Sequence, residues 1–179
     1  MKKLYAKVLL SLVCMTVFGM KMSAQTINWQ LPSENPESTA TVLIAPEGSD
    51  ILLFGNSLAI GDTIGVFVQA EPNVFNCAGK VAWEGPDENL VIAARGDISG
   101  AGELANGFVT GDEYIFYVKT QATEQSFAAD ATLEIGGIFI DTWGADQFTK
   151  VLGLTITDDA PPGCTDATAL NYNSLAFDD

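Results

Sequence analysis

Histidine is absent from the 179 residues. Without an imidazole, Ser-His-Asp and Cys-His nucleophilic schemes are excluded, and so are His-ligated zinc sites. Cysteine is scarce too: Cys14, Cys77 and Cys164 are the only three, too few for a four-cysteine zinc site. Positive charge is short, with eight Lys and Arg against 23 Asp and Glu. Nucleic acid and anionic lipid are held by cations that neutralise phosphates, so neither is an expected partner. Long apolar runs are also missing. The longest, Val8 to Met20, spans 13 residues, short of the roughly 20 that a transmembrane helix needs.

That run has a different use. Lys2, Lys3 and Lys7 precede it and Ser23 and Ala24 follow it, the order of a secretory signal peptide over residues 1–24. Cleavage is expected after Ala24, leaving Gln25 first, although Met22 is larger than the usual residue at that place. Cys14 follows Ser-Leu-Val inside the apolar run, which does not suit lipidation. The mature chain then keeps Lys80, Arg95, Lys119 and Lys150 against 23 acids, a net charge of −19, and its expected location is secreted or cell surface. Such acidity serves as a solvated surface or as a store of carboxylates for divalent cations.

Glycine, proline and Asp/Asn turns punctuate the rest. Between them lie TATVLIAP, DILLF, DTIGVFVQ, GKVAWEG, NLVIAAR, EYIFYVK, ADATLEI and KVLGLTIT, all rich in β-branched and aromatic residues. In EYIFYVK, Tyr114, Phe116 and Val118 fall on one face and Ile115, Tyr117 and Lys119 on the other, a period of two. No segment shows a helical period. The expectation is an all-β chain: a single antiparallel β-sandwich of about eight strands over residues 25–157. GAGELANG (100–107) reads as a flexible connection between strands. TDDAPPG then marks a Pro-rich linker at 158–162, followed by a short Cys/Asp-rich stretch, 163–179.

Several residues are chemical candidates. Cys77, next to Ala-Gly and without a basic cluster around it, reads as a small packed residue more than as a reactive thiol. Glu84, Asp87, Glu88, Asp112 and Glu113 fall at strand ends, where paired carboxylates can run glycoside hydrolysis, but turn chemistry alone also places acids there. Trp29, Trp83 and Trp143 are either core residues or flat platforms for sugar rings, with Trp83 and Trp143 the ligand-binding candidates. Asp166, Asn171, Asn173, Asp178 and Asp179 supply oxygen ligands for a candidate calcium ion, although their spacing is not that of an EF-hand. The same five also suit a loop in which Asp and Asn serve as turn formers. Arg95-Gly96-Asp97 spells a tripeptide that some receptors read; a strand end followed by a turn accounts for it equally well.

The strings GDTIGVFV (61–68), CAGKVAWEG (77–85), VIAARGD (91–97) and GFVTGDEYIFYV (107–118) also resemble, in order and spacing, an uncharacterised β domain. That domain recurs in large multidomain proteins exported by type IX secretion. The resemblance covers most of residues 27–157. It departs where relatives carry tryptophan in the 92–96 strand and after position 115; this chain has Ala93-Ala94-Arg95 and Phe116-Tyr117 there. GCTDATALNYNSLAFDD resembles the start of a Cys-Thr-Asp repeat from proteins of the same kind, matching at Cys164, Thr165, Asp166, Ala169, Asn171, Tyr172, Asn173, Ala176, Asp178 and Asp179. The resemblance implies that the repeat is cut before its second cysteine, the disulfide partner of Cys164, so that the chain is a piece of a longer protein. From the residues alone, a bridge between Cys164 and Cys77 stays open.

These readings converge on a non-catalytic extracellular module of a secreted or cell-surface multidomain protein, serving as spacer or adhesion and binding unit. No cofactor other than the candidate Ca²⁺ is expected. Expected partners are a surface ligand or polysaccharide and other modules of the same chain. The alternative is a carbohydrate-binding accessory domain of a secreted polysaccharide-degrading enzyme whose catalytic domain lies beyond residue 179.

Overall fold

Period-two alternation of β-branched and aromatic residues leaves strands as the structures that bury this sequence well. The computed structural model describes residues 25–32, 38–45, 50–53, 55–99 and 104–156. The signal segment, the linker, Cys164 and the candidate calcium ligands Asp166, Asn171, Asn173, Asp178 and Asp179 lie outside the described residues. Among the described residues ten strands form: β1 (Thr26–Asn28), β2 (Thr39–Ile44), β3 (Asp50–Leu53), β4 (Asn56–Ser57), β5 (Thr63–Glu71), β6 (Val74–Ala82), β7 (Leu90–Arg95), β8 (Ile115–Lys119), β9 (Ser126–Glu134) and β10 (Phe148–Ile156). Among the described residues there is no helix.

The all-β expectation holds, but the strand count and the sheet differ from it. Instead of about eight strands in a sandwich, one hydrogen-bonded path runs β1-β6-β5-β8-β9-β10-β2-β7, with β3 on β10 and β4 on β3. The sheet is continuous because β9 serves two neighbours: Ser126–Ala129 pairs with β8, and Asp130–Glu134 pairs with β10. Six pairings are antiparallel, but β1 with β6, β10 with β2 and β10 with β3 are parallel. The sheet curls into a half-barrel. A Cβ placed on Gly79 of β6 would lie 2.5 Å from the Ala93 carbonyl oxygen and 2.7 Å from Ile92 Cγ2, so the backbone of β7 comes back against β6 where glycine leaves room.

The concave side holds the main core. Ile64, Val66 and Val68 of β5 meet Val42 and Ile44 of β2, Leu90 and Ile92 of β7, and Phe116 and Val118 of β8. On β10 the inward set shifts from Val151 to Leu154 and Ile156, because the register slips between Val151 and Gly153. A bulge of this kind exchanges the faces of a strand. The convex side of β5, β6 and β8 carries a second, smaller core of Phe67, Phe75, Cys77 and Tyr117. The segment carrying Ile27, Trp29 and Leu31 packs over it. Trp29 meets Phe67 edge to face at 4.8 Å, and its indole N–H donates to Ser126 Oγ at 2.8 Å. Gly65 is what admits that ring, since a Cβ there would lie 2.8 Å from Trp29 Cζ3.

Two connections follow β5 and β7. Pro72-Asn73 forms a tight turn with Asn73 at a φ of 65°, and β6 starts at Val74, well before the GKVAWEG stretch. Beyond β7, Gly96 and Phe108 form a parallel bridge, and the Asp97 carboxylate accepts hydrogen bonds from Ser99 N, Ser99 Oγ and Asn106 N. Burial opposes the charge of Asp97, but these donors outweigh it and hold the carboxyl below its ordinary value.

Candidate functional site

The chain enters β8 through Val109-Thr110-Gly111-Asp112, a turn closed at both ends. Asp112 N donates to Val109 O at 3.1 Å and Val109 N to Asp112 Oδ2 at 2.8 Å, while Gly111 takes a φ of 97° that other residues rarely adopt. Trp143 then latches the turn: Gly111 N donates to Trp143 O at 2.9 Å and Trp143 N to Asp112 O at 2.7 Å. The same device recurs at Ala59-Ile60-Gly61-Asp62, also with a glycine φ of 97°, which Trp83 latches at 2.9 and 2.6 Å. Asp62 goes further. It is 3% exposed, and its carboxylate accepts from Ala59 N at 3.0 Å and from Gln121 N, across the sheet, at 2.9 Å.

The second latch opens a slot. Glu113 pairs with Thr142 instead of continuing the sheet, so β8 begins only at Ile115. Its neighbours β5 and β9 are nine residues long each. The last β5 pairing with β8 is Phe67 with Ile115, and the last β9 pairing is Ala129 with Phe116. Val68–Glu71 and Asp130–Glu134 therefore run on with no β8 partner beside them. Two cavities flank the head of β8. One, of about 510 Å³, lies against Val68, Gln69, Val109 and Ile115; the other, of about 410 Å³, lies against Ile115, Ala129, Ala131 and Leu133. Both include Glu113; Asp112 lies at the first, and Asp130 and Asp141 at the second. No Lys or Arg lines either cavity.

The described basic side chains are engaged elsewhere. Lys80 donates to Trp29 O, Arg95 to Pro32 O, Lys119 pairs with Glu124 and Lys150 with Glu134. The groove is thus an apolar trough with an acidic rim. Comparison with family models, curated proteins and solved structures finds no match to this chain. What the site can do has to be read from its own chemistry.

Tyr114 stands in the wall of the second cavity with its ring against Phe108 at 5.1 Å and Phe116 at 6.2 Å. Its hydroxyl is buried without a hydrogen-bond partner. The Thr149 hydroxyl, in the same region, donates to Ile140 O at 2.8 Å. Burial pushes the phenol above its ordinary value; the nearby Thr149 hydroxyl eases this little, because its proton is committed to Ile140 O.

The ligand-binding candidates of the sequence lie elsewhere. Trp83 and Trp143 are each 4% exposed, and both belong to the main core. Trp143 also stacks on Phe108 at 6.3 Å and donates its indole N–H to Ala94 O. Neither ring presents a face to solvent. Arg95-Gly96-Asp97 is equally engaged, with Gly96 buried and both flanking side chains bonded within the fold. Cys77 is fully buried with its Sγ on Gly79 O at 3.3 Å, and burial pushes the thiol to about 11. Among the described residues, no three His, Cys, Asp or Glu side chains gather as a metal site. Sequence reasoning singled out Asp112 and Glu113 as acids at a strand end; Asp62 and the groove it missed.

Proposed function

We propose that this chain is a non-catalytic extracellular module of a secreted or cell-surface multidomain protein, a spacer or binding unit that displays the groove at the head of β8. The observation that carries the reading is the groove: an apolar trough beside Val68–Glu71 of β5, where β8 has ended, rimmed by carboxylates on a sheet whose β5, β6 and β8 are covered on both faces. A sheet so covered holds its loops rigidly, which suits presentation. Export rests on the basic-apolar-small order of residues 1–24, and membership of a larger protein rests on the resemblance of the four quoted strings and of the Cys-Thr-Asp stretch.

The alternative, a carbohydrate-binding accessory domain, would need a surface other than the two buried tryptophan rings. The test is to present the whole chain with a panel of insoluble polysaccharides and basic and acidic peptides, and to assay the same mixtures for released sugar. Retention without turnover is the expected result. Sustained turnover abolished by Glu113→Gln would overturn the non-catalytic reading.

A further inference from the structure

We propose that the groove takes an extended, cationic peptide segment, which adds beside Val68–Glu71 of β5 as a strand continuing the line of β8. The inference rests on the binding-unit reading and names the ligand class. On the side of β5 where β8 has ended, alternate residues of Val68–Glu71 point N–H and C=O groups into the slot. An incoming strand would satisfy those groups over about 13 Å, four residues at strand rise. Its alternate side chains would rest on Val109, 54% exposed, and Ile115, at the first cavity.

Charge selects the occupant. Asp112 and Glu113 stand at the first cavity, and Asp130 and Asp141 at the second. The described basic side chains are all engaged elsewhere, so a second copy of this acidic chain would bring repulsion in place of complementarity. A segment alternating Lys with Val answers rim and trough together. Sugar rings seek exposed aromatic faces; two of the three indoles are in the core, and Trp29, half-buried against Phe67, lines neither cavity.

The experiment uses the whole chain and a fluorescein-labelled acetyl-(Lys-Val)₃-Lys amide, read by anisotropy at low and moderate salt. Three comparisons accompany it: the same peptide N-methylated at alternate residues, an acetyl-(Glu-Val)₃-Glu amide, and the protein variant Glu113→Gln/Asp141→Asn. Binding by the Lys-Val peptide alone is expected, weakened roughly tenfold or more by N-methylation, which removes strand pairing. The double variant, which folds or not as judged by its circular dichroism, is expected to bind about threefold to tenfold more weakly. Equal binding of the N-methylated and unmodified peptides would overturn strand addition, leaving charge attraction alone. Binding to polysaccharide and to neither peptide would overturn the peptide proposal and leave the binding-unit reading standing. Failure to bind any of these ligands would overturn both.

Discussion

Replacing Asp62 by alanine should destabilise the protein far more than replacing Asp112, although the two occupy the same place in the same turn. Asp62 is 3% exposed and its carboxylate takes two backbone donors, Ala59 N and Gln121 N. Asp112 takes one, Val109 N, at a more exposed place where water can replace it. A hydrogen bond to a charged acceptor is worth about 1.5–3 kcal/mol, and a buried donor left unpaired costs its full desolvation. With non-additivity between neighbours allowed for, Asp62→Ala should cost about 3 kcal/mol and Asp112→Ala about 1 kcal/mol. A domain of this size has roughly 5–15 kcal/mol in total, so the first is a large share. Asp62→Asn, which keeps one acceptor oxygen, should fall between them. Urea unfolding followed by tryptophan emission reports the difference directly, because Trp83 and Trp143 leave the core on unfolding. An Asp62→Ala variant within about 0.5 kcal/mol of Asp112→Ala would show that the cross-sheet bond to Gln121 N contributes nothing, and the reasoning would fail.

Tyr114→Phe should raise stability by about 1 kcal/mol, since it removes a buried hydroxyl without a partner; a loss in the same urea assay would mean that the hydroxyl is bonded. Cys77 should resist a thiol reagent in the native protein and react only on unfolding. With the thiol held up to about 11 by burial, the unfolded chain releases this proton first, so stability should decline as pH rises from about 9 toward 11, by at most about 1.4 kcal/mol per unit. Comparison of wild type with Cys77→Ala isolates that slope, and identical alkaline slopes would contradict it. Gly65→Ala should cost about 1–3 kcal/mol and displace Trp29, because the new methyl would meet the indole and the Phe67 ring. A variant with wild-type stability and an unchanged Trp29 contact to Ser126, read by the indole N–H resonance, would refute the packing argument.

Strand identity was legible where alternation was strong. TATVLIAP, NLVIAAR and EYIFYVK became β2, β7 and β8 close to their expected places, and the two faces assigned to EYIFYVK sort into the two cores. What alternation cannot carry is the partner of each edge. β1 is three residues of unremarkable composition, a strand only because β6 lies alongside. The single curled sheet in place of the expected sandwich depends on β9 changing neighbours at Ala129 to Asp130, a bend without punctuation in FAADAT. The bulge at Gly153 was visible as a glycine inside a strand, but its effect on the faces of β10 was not. The groove was illegible for a related reason: it is made by the end of one strand beside two that continue, a property of relative lengths.

One signal for it was nevertheless in the sequence. Gly61-Asp62 and Gly111-Asp112 each precede a tryptophan, Trp83 and Trp143, and in both cases the indole residue's own N–H and C=O close the turn. Reading these tryptophans as platforms or as core overlooks their backbone role, which puts each ring inside and each turn outside. That division has a consequence for recognition. With the rings used in the core, the exposed chemistry at the head of β8 is backbone edge and carboxylate rim, and a surface built this way recognises extension and charge more than side-chain shape. Substitutions of individual apolar residues in the trough, such as Val109→Ala, should therefore change peptide affinity less than blocking the peptide backbone does. The opposite ranking would place recognition in side-chain packing and return the search to aromatic and apolar pockets.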